Sequence, residues 1–145
     1  IAAAHKMKIP VIPVPGPSSI TALISAAGLP SNRFLFIGFL PKTASRLRKE
    51  VTEWGLQVKT TIICFLPTRD LVKTLEIIFE IYPTAKVGLG RELTKKFENI
   101  QIITESFFNE NKENYLSLKG ECSLVIEHSP RVIKKESGPN HRFII

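Results

Sequence analysis

Two stretches of this 145-residue chain hold side chains at spacings that could do chemistry. The first is PVPGPSSITALISAAGLP, Pro13 to Pro30. Its prolines fix φ and withhold an N–H, and Gly16 permits a close backbone approach. Ser18 and Ser19 then set hydroxyls beside a helix N-terminus that favours negative groups. Such a turn can form one wall of a small-molecule site, or its serines can simply cap a helix. The second stretch is RELTKKFE, Arg91 to Glu98, which directly follows a strand-like run. Arg91 offers a planar fork to phosphate or carboxylate, and Lys95 and Lys96 are mobile point charges. The end of such a strand is where open α/β sheets bind ligands. The alternative is a solvated first helical turn in which Glu92 and Lys96 pair at i, i+4.

Other chemistries are excluded or weakly supported. His5, His128 and His141 are scattered, with no partner at ligand spacing, so no metal site is expected. No G-x-S-x-G elbow, Walker A sequence or G-x-G-x-x-G occurs. Cys64 and Cys122 each sit in an apolar run, where a free thiol acts as a small hydrophobe, and a reducing cytoplasm is the default. Trp54 and the nine phenylalanines fall mostly on core stripes. The net charge of +7 favours an anionic partner, nucleic acid first. No run of about eighteen apolar residues suggests a membrane span.

The elements that must position the two stretches follow from periodicity. Ile20, Leu23, Ile24 and Ala27 predict a helix that Gly28 and Pro30 end. FLFIGF, Phe34 to Phe39, reads as a buried strand, with Gly38 marking a bulge or a close backbone approach. Thr43 or Ser45 could cap a second helix, striped by Leu47, Val51 and Trp54. VKTTIICF, Val58 to Phe65, reads as a central strand. Thr68 is expected to cap a third helix bearing Leu71, Val72, Leu75, Ile78, Phe79 and Tyr82, ended by Pro83. AKVGLG, NIQIITE and GECSLVIE read as strands, with a weaker helix over Ser106 to Leu118. The alternation predicts an α/β fold with helices on both faces of a sheet. A boundary at Pro13 to Pro17 makes residues 1–16 the end of a preceding domain and its linker. Residues 17–127 are then the α/β domain and residues 128–145 a basic tail. The start at Ile1, without an initiator methionine or signal peptide, reads as the remainder of a longer protein.

PVPGPSSITALISAAGLPSNRFLFIGFLPK, GRELTKKFE and KGECSLVIE, in that order, resemble segments of the ribosomal RNA small subunit methyltransferase I family, within the tetrapyrrole methylase superfamily. The resemblance runs from Ile1 to about Glu127. It implies a mixed sheet, a homodimer, and S-adenosylmethionine held between two domains. It also implies methylation of a cytidine ribose 2′-hydroxyl in small-subunit rRNA. On this resemblance Pro15, Gly16, Ser18, Ser19, Phe65, Leu66, Arg91, Glu92, Leu93 and Thr94 are expected at the cofactor, and Arg69, Lys95 and Lys96 at the RNA. Glu92 is the best acidic candidate for a general base, beside its plainer role as a structural partner of Arg91. Where the family reads FYESPHR, this chain has CFLPTRD, Cys64 to Asp70, so Leu66 and Arg69 replace a glutamate and a histidine. Two alternatives stand: a small-molecule methylase acting on a tetrapyrrole-like substrate, and a non-catalytic dimerisation or RNA-binding module.

Overall fold

Side-chain alternation along the interior strands sets the layers. The computed structural model describes residues 1–56 and 60–128; the expected strand start at Val58 and most of the expected tail lie outside them. Five strands form one sheet: β1 (Phe34–Phe39), β2 (Thr61–Pro67), β3 (Lys86–Arg91), β4 (Asn99–Ile103) and β5 (Glu121–Glu127). Their spatial order is β1-β2-β5-β3-β4. Among the described residues only β1 and β2 run parallel, β5 pairing antiparallel with β2 and β3, and β3 with β4. The expected mixed sheet is present.

Ile62, Cys64 and Leu66 of β2 and Leu124 and Ile126 of β5 point to one face, under Leu47, Val51, Leu75, Ile78 and Phe108. Those residues come from α3 (Ala44–Glu53), α4 (Leu71–Ile81) and α5 (Glu105–Leu116). Ile63 and Val125 point to the other face, where Leu23, Ala27 and Leu29 close on them. That second layer is α2 (Ser19–Ala26) and the turn after it, so helices cover both faces unequally. Gly28 has φ +66°, the left-handed conformation expected just past a helix end. Burying Leu23 completely contributes about 1.5–3 kcal/mol. It fits because β3 presents glycines beneath α2: a Cβ on Gly88 would lie 3.1 Å from Ala27 Cβ, and one on Gly90 2.7 Å from Leu23 Cδ1. The short α1 (Ala2–Lys6) has no buried residue.

Two expectations need correction. FLFIGF is not buried: Phe34, Leu35, Phe36 and Phe39 are all exposed. Among the described residues the run is the edge strand, with a neighbour on one side only, and α2 packs over Ile63 and Val125 rather than over it. The bulge expected at Gly38 is present, as a register break between Phe36 and Phe39 with Gly38 at φ +73°. Nor does Thr68 cap the third helix. It opens a 3₁₀ turn, Thr68–Asp70, and Asp70 takes the cap position of α4. The Thr68 hydroxyl is drawn away by the carbonyls of Leu118 and Gly120, to which it donates at 2.9 and 3.0 Å. Its backbone N–H also reaches Gly120 O, at 2.9 Å. The turn after β2 is thereby tied to the entry of β5.

Candidate functional site

Of RELTKKFE, Arg91 ends β3 and residues 92–98 form the hairpin loop between β3 and β4, not a helical turn. Arg91 pairs with Asn99 across the antiparallel ladder, so the intervening residues must reverse the chain tightly. Glu92 and Thr94 do so at φ 48° and 65°. Holding a non-glycine residue there costs about 1–3 kcal/mol. Lys95 N–H donates to Glu92 O at 2.9 Å, Glu98 N–H to Lys95 O at 3.1 Å, and Thr94 N–H to Glu98 Oε2 at 2.6 Å. The anticipated Glu92–Lys96 pair therefore does not form, and Glu92 meets Lys95 Nζ at 3.2 Å instead.

This loop makes one wall of a cleft of about 420 Å³ on the face that α2 covers. Gly90, Glu92, Leu93 and Lys95 line it from the hairpin, Ser19 from the first turn of α2, and Phe65 from β2. The entry of β5 supplies Gly120, Glu121, Cys122 and Ser123. Five expected site residues thus converge from three separate segments: Ser19, Phe65, Glu92, Leu93 and Lys95. The others lie elsewhere. Pro15 and Gly16 are exposed ahead of α2, outside the lining. Ser18 sits at the α2 cap position without a side-chain cap bond, its carbonyl accepting from Thr21 Oγ1 at 3.1 Å. Leu66 is buried toward the opposite face. Arg91 also points there, its guanidinium donating to Lys119 O at 3.3 Å. Thr94 and Arg69 are exposed, and Lys96 Nζ stands 5.6 Å over the Phe97 ring.

Sequence reasoning missed Gly90 and the segment Gly120 to Ser123 as lining residues. The available signals were glycines at strand ends: Gly120 has φ +93°, and Gly90 has no room for a side chain beneath Leu23. The cleft carries two carboxylates, Glu92 and Glu121, one ammonium, Lys95, two hydroxyls, Ser19 and Ser123, and apolar contributions from Phe65 and Leu93. Cys122 is no nucleophile: burial pushes its thiol up to about 12, although Arg91 opposes the shift, and Sγ donates to Leu66 O at 3.4 Å. Burial likewise pushes up the Cys64 thiol. The Phe65 ring is flanked edge-on by Phe36 and Phe39, with centroids 4.9 and 5.6 Å away.

This mixed five-stranded sheet is a fold found in methyltransferases. The crystal structure of the methyltransferase CobJ superposes with a TM-score of 0.58 at 16% identity, over 94% of this chain and 57% of that one. The cobalt precorrin-4 methyltransferase CbiF, a cobalamin biosynthetic enzyme, gives 0.54 at 17% identity over 86% and 55%. The family model of the tetrapyrrole (corrin/porphyrin) methylases matches residues 1–106, and the chain belongs to that family. Among its relatives, the ribosomal RNA small subunit methyltransferase I of Leptospira biflexa is 32% identical over 134 residues, covering 92% of this chain and 55% of the relative. The protein of that name from Buchnera aphidicola is 38% identical over 121 residues, 81% of this chain and 41% of the relative. The chain thus spans about half the length of the curated relatives it matches.

Proposed function

We propose that the chain is part of an S-adenosylmethionine-dependent methyltransferase that modifies small-subunit rRNA, at a cytidine ribose 2′-hydroxyl. The observation that supports this most is the convergence of Ser19, Phe65, Glu92, Leu93 and Lys95 on one cleft in a chain of this family. The residues present suit the methyl donor. The cleft's volume is within the range of small-molecule sites. Glu121 supplies negative potential for a sulfonium and an ammonium, while Lys95, held by Glu92, and Ser19 can meet a carboxylate. Phe65 and Leu93 exclude water from the apolar part. Gly90 and Gly120 present backbone without a side chain in between.

When bound, S-adenosylmethionine supplies a methyl group on a positively charged sulfur. The chain's residues then have to orient and exclude. A collinear approach of the attacking oxygen is a matter of positioning, which can supply much of the rate. The 2′-hydroxyl must also lose its proton to a nearby acceptor. Because Glu92 is engaged with Lys95 at 3.2 Å, we assign it to holding Lys95 over the cleft, a positioning role. Lys96 and Arg69, exposed near the same end of the sheet, are available to phosphates. Among the described residues no helix is long and apolar enough to cross a membrane. Action on ribosomal subunits in the cytoplasm, and pairing of two copies as the resemblance implies, belong to the same proposal.

The test is transfer of labelled methyl groups to small ribosomal subunits by the chain together with the segment its relatives carry beyond the matched stretch. Incorporation above a no-enzyme control, mapped to a ribose 2′-oxygen, is expected. Incorporation equal to that control would refute the reading.

A further inference from the structure

Phe36 and Phe39 are three residues apart, so in an unbroken strand their side chains would leave opposite faces of the sheet. The register break between them, with Gly38 at φ +73°, changes this parity. Phe36 then stands beside Ile63 and Phe39 beside Phe65, all on the cleft face. The rings of Phe36 and Phe39 both pack edge-on against Phe65, which itself lines the cleft. Yet Phe36 remains 40% exposed and Phe39 62%. Among the described residues nothing covers the phenylalanine that the bulge turns outward. The result is an aromatic row running from the cleft out to the edge of the sheet.

Cations accompany this row in the chain. Lys42 follows Phe39 by three residues and Arg69 follows Phe65 by four; both are exposed, as is Lys96 on the cleft loop. None of the three forms an ion pair among the described residues. Open aromatic rings combined with unpaired cations are what single-stranded nucleic acid requires, bases stacking and phosphates meeting lysine and arginine. A second copy docked on the same row by a two-fold axis would bring like charges together on a chain of net charge +7.

We propose that Phe36, Phe39 and Phe65 form a stacking platform for unpaired bases of an RNA strand, next to the nucleotide that enters the cleft. The proposal rests on the reading that the methyl acceptor is RNA. It is tested without a methyl donor, by titrating the Phe39→Trp chain with a single-stranded RNA 12-mer and following the added indole fluorescence. Quenching is expected, with affinity falling steeply as salt rises. Phe36→Ala and Phe39→Ala should each weaken binding of the same RNA about tenfold, a loss in the range of one stacked base. Circular dichroism should show the parent fold, because both side chains are partly or largely exposed. Three results would overturn the platform: no RNA binding by the parent chain, RNA affinity unchanged within twofold in both alanine variants, or a Phe39→Ala chain that loses only self-association in sedimentation. Quenching without methyl transfer in the labelling assay would refute the methyltransferase reading and leave the platform standing. Methyl transfer with unaltered RNA affinity in the alanine variants would do the reverse.

Discussion

Gly90, in the cleft lining, and Thr94, on the exposed loop beyond it, stand at opposite extremes of steric tolerance. A methyl group on Gly90 would meet Leu23 at 2.7 Å and Leu93 at 3.2 Å, and Leu23 is fully buried with little room to yield. Gly90→Ala should therefore destabilise the chain by about 1–3 kcal/mol in urea denaturation, as overpacking does. Gly16→Ala, with nothing within 4 Å of the added methyl, should be near neutral in the same measurement. Thr94 is a β-branched residue held at φ 65° on an exposed loop. Thr94→Gly should stabilise by about 1 kcal/mol by removing that strain. Glu92→Gln separates two roles at one carboxylate. Loss of a general base costs about a hundredfold or more in rate, so a drop of less than tenfold in methyl transfer is the outcome expected of a positioning residue.

At the scale of elements, the same local rules explain both what periodicity revealed and what it concealed. The stripe from Leu71 to Tyr82 announced α4 because every third or fourth residue had a core to enter. FLFIGF looked equally buried, yet nothing within six apolar residues says whether a strand has one neighbour or two. Edge position is a property of the sheet's order, and that order depends on the late arrival of β5 between β2 and β3. Thr68 was similarly opaque, because its partners Leu118 and Gly120 lie about fifty residues away in the chain. Thr68→Val should cost about 0.5–1.5 kcal/mol, the worth of the hydroxyl's hydrogen bond to the partly buried Leu118 carbonyl, and should speed amide exchange at the entry of β5. The site was half legible for the same reason. Ser19 and the hairpin residues carry polar chemistry in the sequence, whereas Gly90 and Gly120 contribute backbone, which composition does not advertise.

At the scale of the whole molecule, the end of the described chain reports on pH. His128 is buried with neither ring nitrogen hydrogen-bonded among the described residues, 5.0 Å from the Tyr82 ring centroid and 6.5 Å from that of Trp54. Burial holds its imidazole below the usual histidine value. The unfolded chain therefore binds this proton more readily than the folded one. Stability should be full above about pH 6.5 and decline as pH falls from there toward the lowered folded value. His128→Phe should flatten that part of a pH–stability curve measured by urea denaturation; an unchanged slope would assign the pH dependence to other groups.

The central claim, that the methyl donor sits against α2, the β3 to β4 loop and the entry of β5, is most directly tested by titrating the ¹⁵N-labelled chain with S-adenosylmethionine. Weak binding suffices for this measurement. Amide shifts are expected at Ser19, Gly90, Glu92, Leu93 and Gly120 to Ser123, all from the cleft. Shifts confined to the face covered by α3, α4 and α5, or none at millimolar donor, would contradict the account.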